Sequence, residues 1–284
     1  MVLDNHVDAW PHSGIEYAYI VYEMLVEAGE TRLLALFKGQ DIDVIGPVRS
    51  ARDYFIDYAQ ENDAIFVHFG GSPQALARRN STGIPHIDGI AHESGRDRDE
   101  TARFWRSRAK RAPHNAYINS DIIARISESS NFRTTSDASA PLNFVTHEVY
   151  LEDGEIANTI TIPYSAGNVI RYEFDEENRV FIRYAKNRRQ VIAGTDNPIT
   201  VRNIIIVFAN HRTIDNQGRL AVDNVGTLNG FFITNGRAIP ITAEKPSREA
   251  QTIYRDLEGN VIEVNDGNTF IQIVPSNANV QISE

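Results

Sequence analysis

The chain has no cysteine. That excludes thiol nucleophiles, thiolate zinc sites and disulfides together, although it leaves the compartment open, since exported bacterial proteins also lack cysteine. No apolar run approaches the ~18 residues that a membrane-crossing helix needs. The first residues, Met1-Val2-Leu3-Asp4-Asn5-His6, hold neither a basic n-region nor an apolar h-region. They read as the start of a cytosolic protein, or of an exported one whose leader has been removed. Positive charge is scarce too: 28 Lys and Arg face 38 Asp and Glu, a formal net charge of −10. A general nucleic-acid binder needs a basic footprint, so no nucleic-acid partner is expected. Neither a Walker loop nor a dinucleotide glycine fingerprint is present. The eight histidines include no His-x-x-x-His pair. No metal site and no cofactor are therefore expected, and His6, with Asp4 and Asn5, would hold a metal only with distant help.

What is present suits a folded protein. At 284 residues, with 42% hydrophobic and 23% charged residues, a full core can form in one large domain or two ordinary ones. Ile20 to Val26 and Thr31 to Phe37 read as two strands of a hairpin around Ala28-Gly29-Glu30. Ala51 to Gln60 fits a helix that buries Tyr54, Phe55, Tyr58 and Ala59. Asp63 to Phe69 is a strand, and Ser72-Pro73 opens a helix with serine as cap and proline at its first position. Residues 78 to 103 are polar and poorly periodic and read as a long surface loop. Asp121 to Ser127 is a further helix. Ser127 to Pro141 is rich in Ser, Thr, Asn and Asp, and 131–142 is the expected linker. Beyond it, short alternating strands recur, with turns at Asn235-Gly236, Glu258-Gly259-Asn260 and Asp266-Gly267-Asn268. The expectation is an α+β protein. Residues 1–130 form a mixed-sheet layered domain with helices on one side, and 143–284 a mainly antiparallel, β-rich domain.

The sharpest chemical signal is Gly46-Pro47-Val48-Arg49-Ser50-Ala51-Arg52-Asp53. Ser50 with Asp53 has the form of a capping box, and free N–H groups beside Arg49 and Arg52 would receive a carboxylate or phosphate. The same arginines would equally serve an ion-pair network with Asp41, Asp43 and Asp53. His68 ends a strand before Gly70-Gly71-Ser72-Pro73-Gln74, which lacks the second glycine of a nucleophile elbow, so Ser72 reads as a cap. Glu23 and Glu27 share one face of an extended strand, either as a carboxylate pair for acid–base work or as partners of a cation such as Arg32. Pro113-His114-Asn115 follows the basic run Arg106-Ser107-Arg108-Ala109-Lys110-Arg111, which in mixed-charge surroundings is a solvated face.

Taken together, these motifs resemble the YerB-like family of bacterial lipoproteins, a domain of unknown function. Carrying the resemblance are Asp4-Asn5-His6, Ser13-Gly14, Ile20-Val21-Tyr22-Glu23, Val26-Glu27 and Thr31-Arg32. Gly46 to Arg52, His68 with Gly70-Gly71-Ser72-Pro73, and Phe104-Trp105-Arg106 leading to Pro113-His114-Asn115 continue it over residues 1 to 125. Asn203 to Val207 and Gly267 to Pro275 match the family's second domain more loosely. Where the family tends to carry a His-x-Asp element, this chain reads Arg189 to Asp196 without histidine. The resemblance implies an α+β fold, export, and a lipid anchor on the outer face of the cytoplasmic membrane. Such an anchor needs an N-terminal cysteine that this chain lacks. It supplies no established activity. The resulting expectation is an envelope binding or regulatory protein. It would hold an anionic or sugar-like group with Arg49, Arg52, His68, His114, Glu23, Arg32, Ser50 and Asn115, with a wall polymer or an envelope protein as partner. The alternative is an envelope hydrolase using Glu23 or Glu27 with His68 or His114.

Overall fold

The alternating apolar residues of the first half do form the expected hairpin. In the computed structural model, which describes residues 1–92 and 104–284, β1 (Val2–Asp4), β2 (Ile20–Leu25) and β3 (Thr31–Leu36) pair antiparallel, with β3 in the middle. Then follow α1 (Asp53–Glu61), β4 (Phe66–His68), α2 (Pro73–Thr82), β5 (His86–Asp88), α3 (Gly89–His92) and α4 (Ser120–Ser129). The Ser72 hydroxyl accepts the Ala75 N–H at 3.1 Å, and Pro73 is the first helical residue of α2, as the Ser-Pro pair predicts. The segment read as a surface loop from 78 onward is different. Its first part completes α2 and then forms β5 and α3, while 93–103 lies outside the described residues. Helix α2 escapes a periodicity reading because it buries only Ala75.

The second half supplies the major strands β6 (Thr159–Ser165), β7 (Asn168–Asp175), β8 (Val180–Ala185), β9 (Asn203–Thr213) and β10 (Gly226–Thr234). β11 (Arg237–Lys245), β12 (Ile253–Asp256), β13 (Thr269–Pro275) and β14 (Gln281–Ser283) complete them. A ten-stranded sheet runs in the order β1-β3-β2-β13-β9-β10-β11-β12, with short strands beside β9 and β11. A six-stranded sheet holds β8-β7-β6-β14 with two short strands beside β8. The fold is α+β with mixed sheets. The second half is mainly antiparallel, as expected, with one addition: β13 runs parallel to both β2 and β9. It pairs directly with β2 across the segment 131–142, so one sheet holds strands from both halves of the chain. The physical reason lies in β2 itself. Five of its six residues are buried, so it needs a hydrogen-bonded neighbour on each edge and a packed layer on each face.

Side-chain alternation sorts those layers. Ile20, Tyr22 and Met24 of β2, with Ile205 and Val207 of β9, pack against Tyr54, Phe55 and Tyr58 of α1. Val21, Ile204, Ile206 and Phe270 face the opposite way, onto Ile160, Ile162, Tyr172 and Phe181 of the six-stranded sheet. The result is a helix layer, a long mixed sheet and a second sheet. Each fully buried large apolar side chain contributes ~1.5–3 kcal/mol.

The Gly46-Pro47 turn that precedes the arginines lies at a close approach of backbones. Gly46 has φ +151°, and a Cβ there would stand 2.7 Å from the Tyr117 ring and 2.8 Å from the Ala116 carbonyl oxygen. Gly39 has φ +64° with open space around it. Gly46→Ala is expected to lower unfolding stability by about 2 kcal/mol and Gly39→Ala by no more than about 1 kcal/mol. Urea midpoints of the two variants check this. Equal losses would show that backbone conformation, not the contact with residues 116 and 117, sets the cost.

Candidate functional site

The helix that follows Arg49 and Arg52 does not start where the motif suggests. Arg52 is the N-cap of α1, and no side chain caps the helix. Ser50 instead offers its carbonyl oxygen to Arg32 Nη1 at 2.6 Å, and Asp53 accepts a bond from Arg248 Nη2 at 3.1 Å. The capping box fails because Ala51 is bridged to Gly71, which keeps the backbone extended through Arg52, past the position where Ser50 could cap.

The two arginines then part. Arg52 is clamped by Glu27, with Nε to Oε1 and Nη2 to Oε2 both at 2.6 Å, a bidentate pair. Burial alone would push the Glu27 carboxyl up, but the bonds and charge of Arg52 hold it below its ordinary value. Asp41 and Asp43 are not among the partners of either arginine. Arg49 makes one ion contact, from Nε to Asp4 Oδ2 at 3.2 Å, and its side chain stays 24% exposed. Arg32 is buried beside them. Burial, with Arg52 and Arg49 close by, lowers its guanidinium to about 9, against which Asp4 and Glu27 pull upward.

Asp4 is the centre of this region. It stands directly across from Arg32 in the β1–β3 register. Its Oδ1 accepts the His6 N–H at 3.1 Å, and its Oδ2 lies 2.7 Å from His114 Nδ1. His12, fully buried, bonds the Asp4 carbonyl oxygen through Nε2 at 2.6 Å. The His6 and His114 rings stack with centroids 4.5 Å apart. His114 is held in place by its loop. Asn115 donates to the carbonyl oxygens of Ser107 (3.0 Å) and Lys110 (3.2 Å) and accepts from Arg106 at 2.9 Å. Lys110 Nζ bonds the Ala9 and Pro11 carbonyl oxygens at 2.5 and 2.8 Å, tying the two loops together, and burial lowers its ammonium to about 8.

Of the eight residues expected at a site, Arg49, Arg52, Arg32, Ser50, His114 and Asn115 therefore gather around the end of β1 and the start of α1. Glu23 and His68 lie elsewhere. Glu23 is wholly buried between the two sheets, where its Oε2 meets Arg183 Nη2 at 2.8 Å and its Oε1 accepts from Asn5 (3.0 Å) and Thr31 (2.7 Å). Its cation is thus Arg183 of β8, and Arg32 lies on the other face of the hairpin. His68 is also without solvent access. Its Nδ1 bonds the Gly70 carbonyl oxygen at 2.8 Å, its Nε2 has no partner, and burial lowers it to about 4. Neither Glu23 nor Glu27 is free to act as an acid or base, and the two do not form a pair, because the strand ends at Leu25 and Glu27 begins a turn. A groove of about 390 Å³ lies between Ala140–Phe144 and Gln251–Tyr254, and none of the eight residues lines it. Asp4 and Lys110 are further contributors: the sequence places Asp4 beside His6 but not as the hub of the arginines, and it reads Lys110 as part of a solvated basic run, whereas its Nζ is bonded to two carbonyl oxygens.

Comparison with known proteins bears on the whole chain. Residues 1–153 match the family described as "Protein of unknown function (DUF3048) N-terminal domain", and residues 160–271 match the corresponding C-terminal domain. The "Putative lipoprotein YerB" of Bacillus subtilis (strain 168) is 30% identical over 289 residues, covering 97% of this chain and 80% of that protein. The crystal structure of the Bacillus subtilis YerB protein superposes with a TM-score of 0.85 at 28% identity, over 99% of this chain and 92% of that one.

Proposed function

The chain belongs to the DUF3048 family, and from that premise we propose that it is an envelope-associated binding protein that holds an anionic group at Arg49. The observation that carries this reading is the asymmetry of the two arginines. Arg52 is saturated by Glu27 and by the Ala51 carbonyl oxygen. Arg49 is engaged only through Nε among the described residues, which leaves its two Nη groups for a ligand. Arg32 and Arg52 behind it raise the local positive potential within an acidic protein, and His114 stands beside it on the same Asp4 oxygen. A carboxylate or phosphate of a wall polymer has the charge and the paired acceptor oxygens for this fork.

The envelope location rests on the relative's description as a lipoprotein. No helix among the described residues is long and apolar enough to cross a membrane. The hydrolase alternative has no comparable support, since both of its carboxylates are occupied by arginines.

Retention on purified cell-wall polymer tests the proposal. Wild type is expected to bind, Arg49→Ala to bind about ten-fold more weakly, and binding to weaken as salt rises. Equal retention of wild type and Arg49→Ala at every salt concentration overturns it. Binding that is lost in Arg49→Ala but directed to an envelope protein rather than the polymer keeps the site and replaces the partner.

A further inference from the structure

We propose that His6, Asp8 and His114 form a binding site for a first-row divalent transition-metal ion, with Asp4 as the outer carboxylate that orients it. The site adjoins the proposed anion site, sharing Asp4 and His114 with it, but does not require an anion at Arg49. One ligand atom from each of the three residues lies within 4.8 Å of the other two. His6 Nδ1 and Asp8 Oδ2 are already 3.6 Å apart, close to the ~3.3 Å spacing of two donors on a tetrahedral ion with bonds of ~2.0–2.2 Å. Chain separation hid the site. His6 and Asp8 are neighbours on the first loop, whereas His114 arrives from the loop that Lys110 ties to it.

Three features favour a metal over an incidental cluster. First, His114 Nδ1 bonds the Asp4 carboxylate at 2.7 Å, and Asp4 is itself only 5% exposed. A buried carboxylate on one imidazole nitrogen fixes the tautomer and the ring orientation, so the lone pair sits on Nε2. Second, the donors differ in freedom. His114 is held by Asp4 and by its Asn115-pinned loop, while His6 (35% exposed) and Asp8 (65% exposed) are the donors with room to turn. What is lost is the 3.2 Å contact between His6 Nδ1 and the Asp8 N–H and the parallel stacking of His6 on His114. Third, two imidazoles and one carboxylate suit zinc, cobalt or nickel rather than calcium or magnesium, and three protein donors leave a fourth position for water or a ligand.

The test titrates the full chain, stripped with a chelator, with Zn2+ by calorimetry and with Co2+ by its visible spectrum. One ion per chain is expected, with a Co2+ spectrum of low coordination number. Asp8→Ala and His6→Ala alter exposed side chains and leave the fold intact by circular dichroism. Each is expected to weaken Zn2+ binding at least ten-fold, as is His114→Ala. Asp4→Asn is expected to weaken it by ~10–100-fold, through the carboxylate that orients His114 and also holds the His6 N–H. His147→Ala, at the exposed His147–Glu263 pair, leaves binding unchanged. Wild-type affinity no better than about 1 mM, or unchanged binding in both Asp8→Ala and His6→Ala, overturns the proposal. None of these readouts involves wall polymer, so failure here is separate from failure of the Arg49 reading.

Discussion

Arg183→Met is expected to destabilise the protein by about 3–5 kcal/mol, because it strands the Glu23 carboxylate between two sheets without a countercharge. Both side chains are almost completely buried, at 1% and 0% exposure, and meet at 2.8 Å. The Glu23 charge raises the Arg183 guanidinium against the effect of burial. The pair is not expected to be worth that much in itself, since two charges taken out of water lose much of what they gain from each other. The loss comes from leaving one of them alone. A double variant, Glu23→Gln with Arg183→Met, is therefore expected to recover a substantial part of it. The glutamine oxygen can still accept from Asn5 and Thr31. Urea denaturation of the single and double variants checks this. A single variant that loses less than about 1 kcal/mol would mean that water reaches Glu23 in solution.

Acid is expected to have an effect of similar size. Burial lowers the His12 and His68 imidazoles from 6.5 to about 4. In the unfolded chain both take up a proton near 6.5, whereas in the folded protein they resist it until about 4. Their contribution is therefore complete above about pH 6.5 and is lost as pH falls through 6.5 towards 4. The slope is about 1.4 kcal/mol per pH unit for each ring, or ~7 kcal/mol in all. Asp57, whose carboxyl burial raises, works in the opposite direction near the acid end of this range. Glu27 and Asp88 are held low, and their contribution falls away below that range. Unfolding free energy measured at pH 7 and pH 4.5 tests the prediction, with His68→Gln expected to flatten the slope by about half. An unchanged slope would assign the acid sensitivity to other groups.

The sequence reads well wherever a signal is local. The β2–β3 hairpin, the buried face of α1 and the Ser72 cap each follow from residues in one short contiguous stretch of chain. What fails is set by distant partners. Glu23 lies 160 residues from Arg183 and Asp53 lies 195 from Arg248, so Arg32 and Ser50 looked like the natural partners only because they were near. The β13 strand, Thr269–Pro275, is recognisable as a strand by its apolar run. Its place between β2 and β9 is not, because a strand buried on both faces carries no alternation to show which neighbour it has. At the site, Arg49 and His114 were identifiable as polar residues in an ordered motif. Their meeting point on Asp4 depends on β1 pairing with β3 and on the 107–115 loop folding back over residues 9 to 11.

That placement of β13 has a consequence for biosynthesis. Thr269–Pro275 completes the sheet that the first hairpin begins, with Ile20 registered on Thr269 and Tyr22 on Ile271. Until that strand has been made, β2 has no partner on one edge, and the nascent chain carries an open template with apolar side chains on both of its faces. Acquisition of the native sheet is therefore an event of high contact order, and a product interrupted before β13 is prone to pair with its own kind.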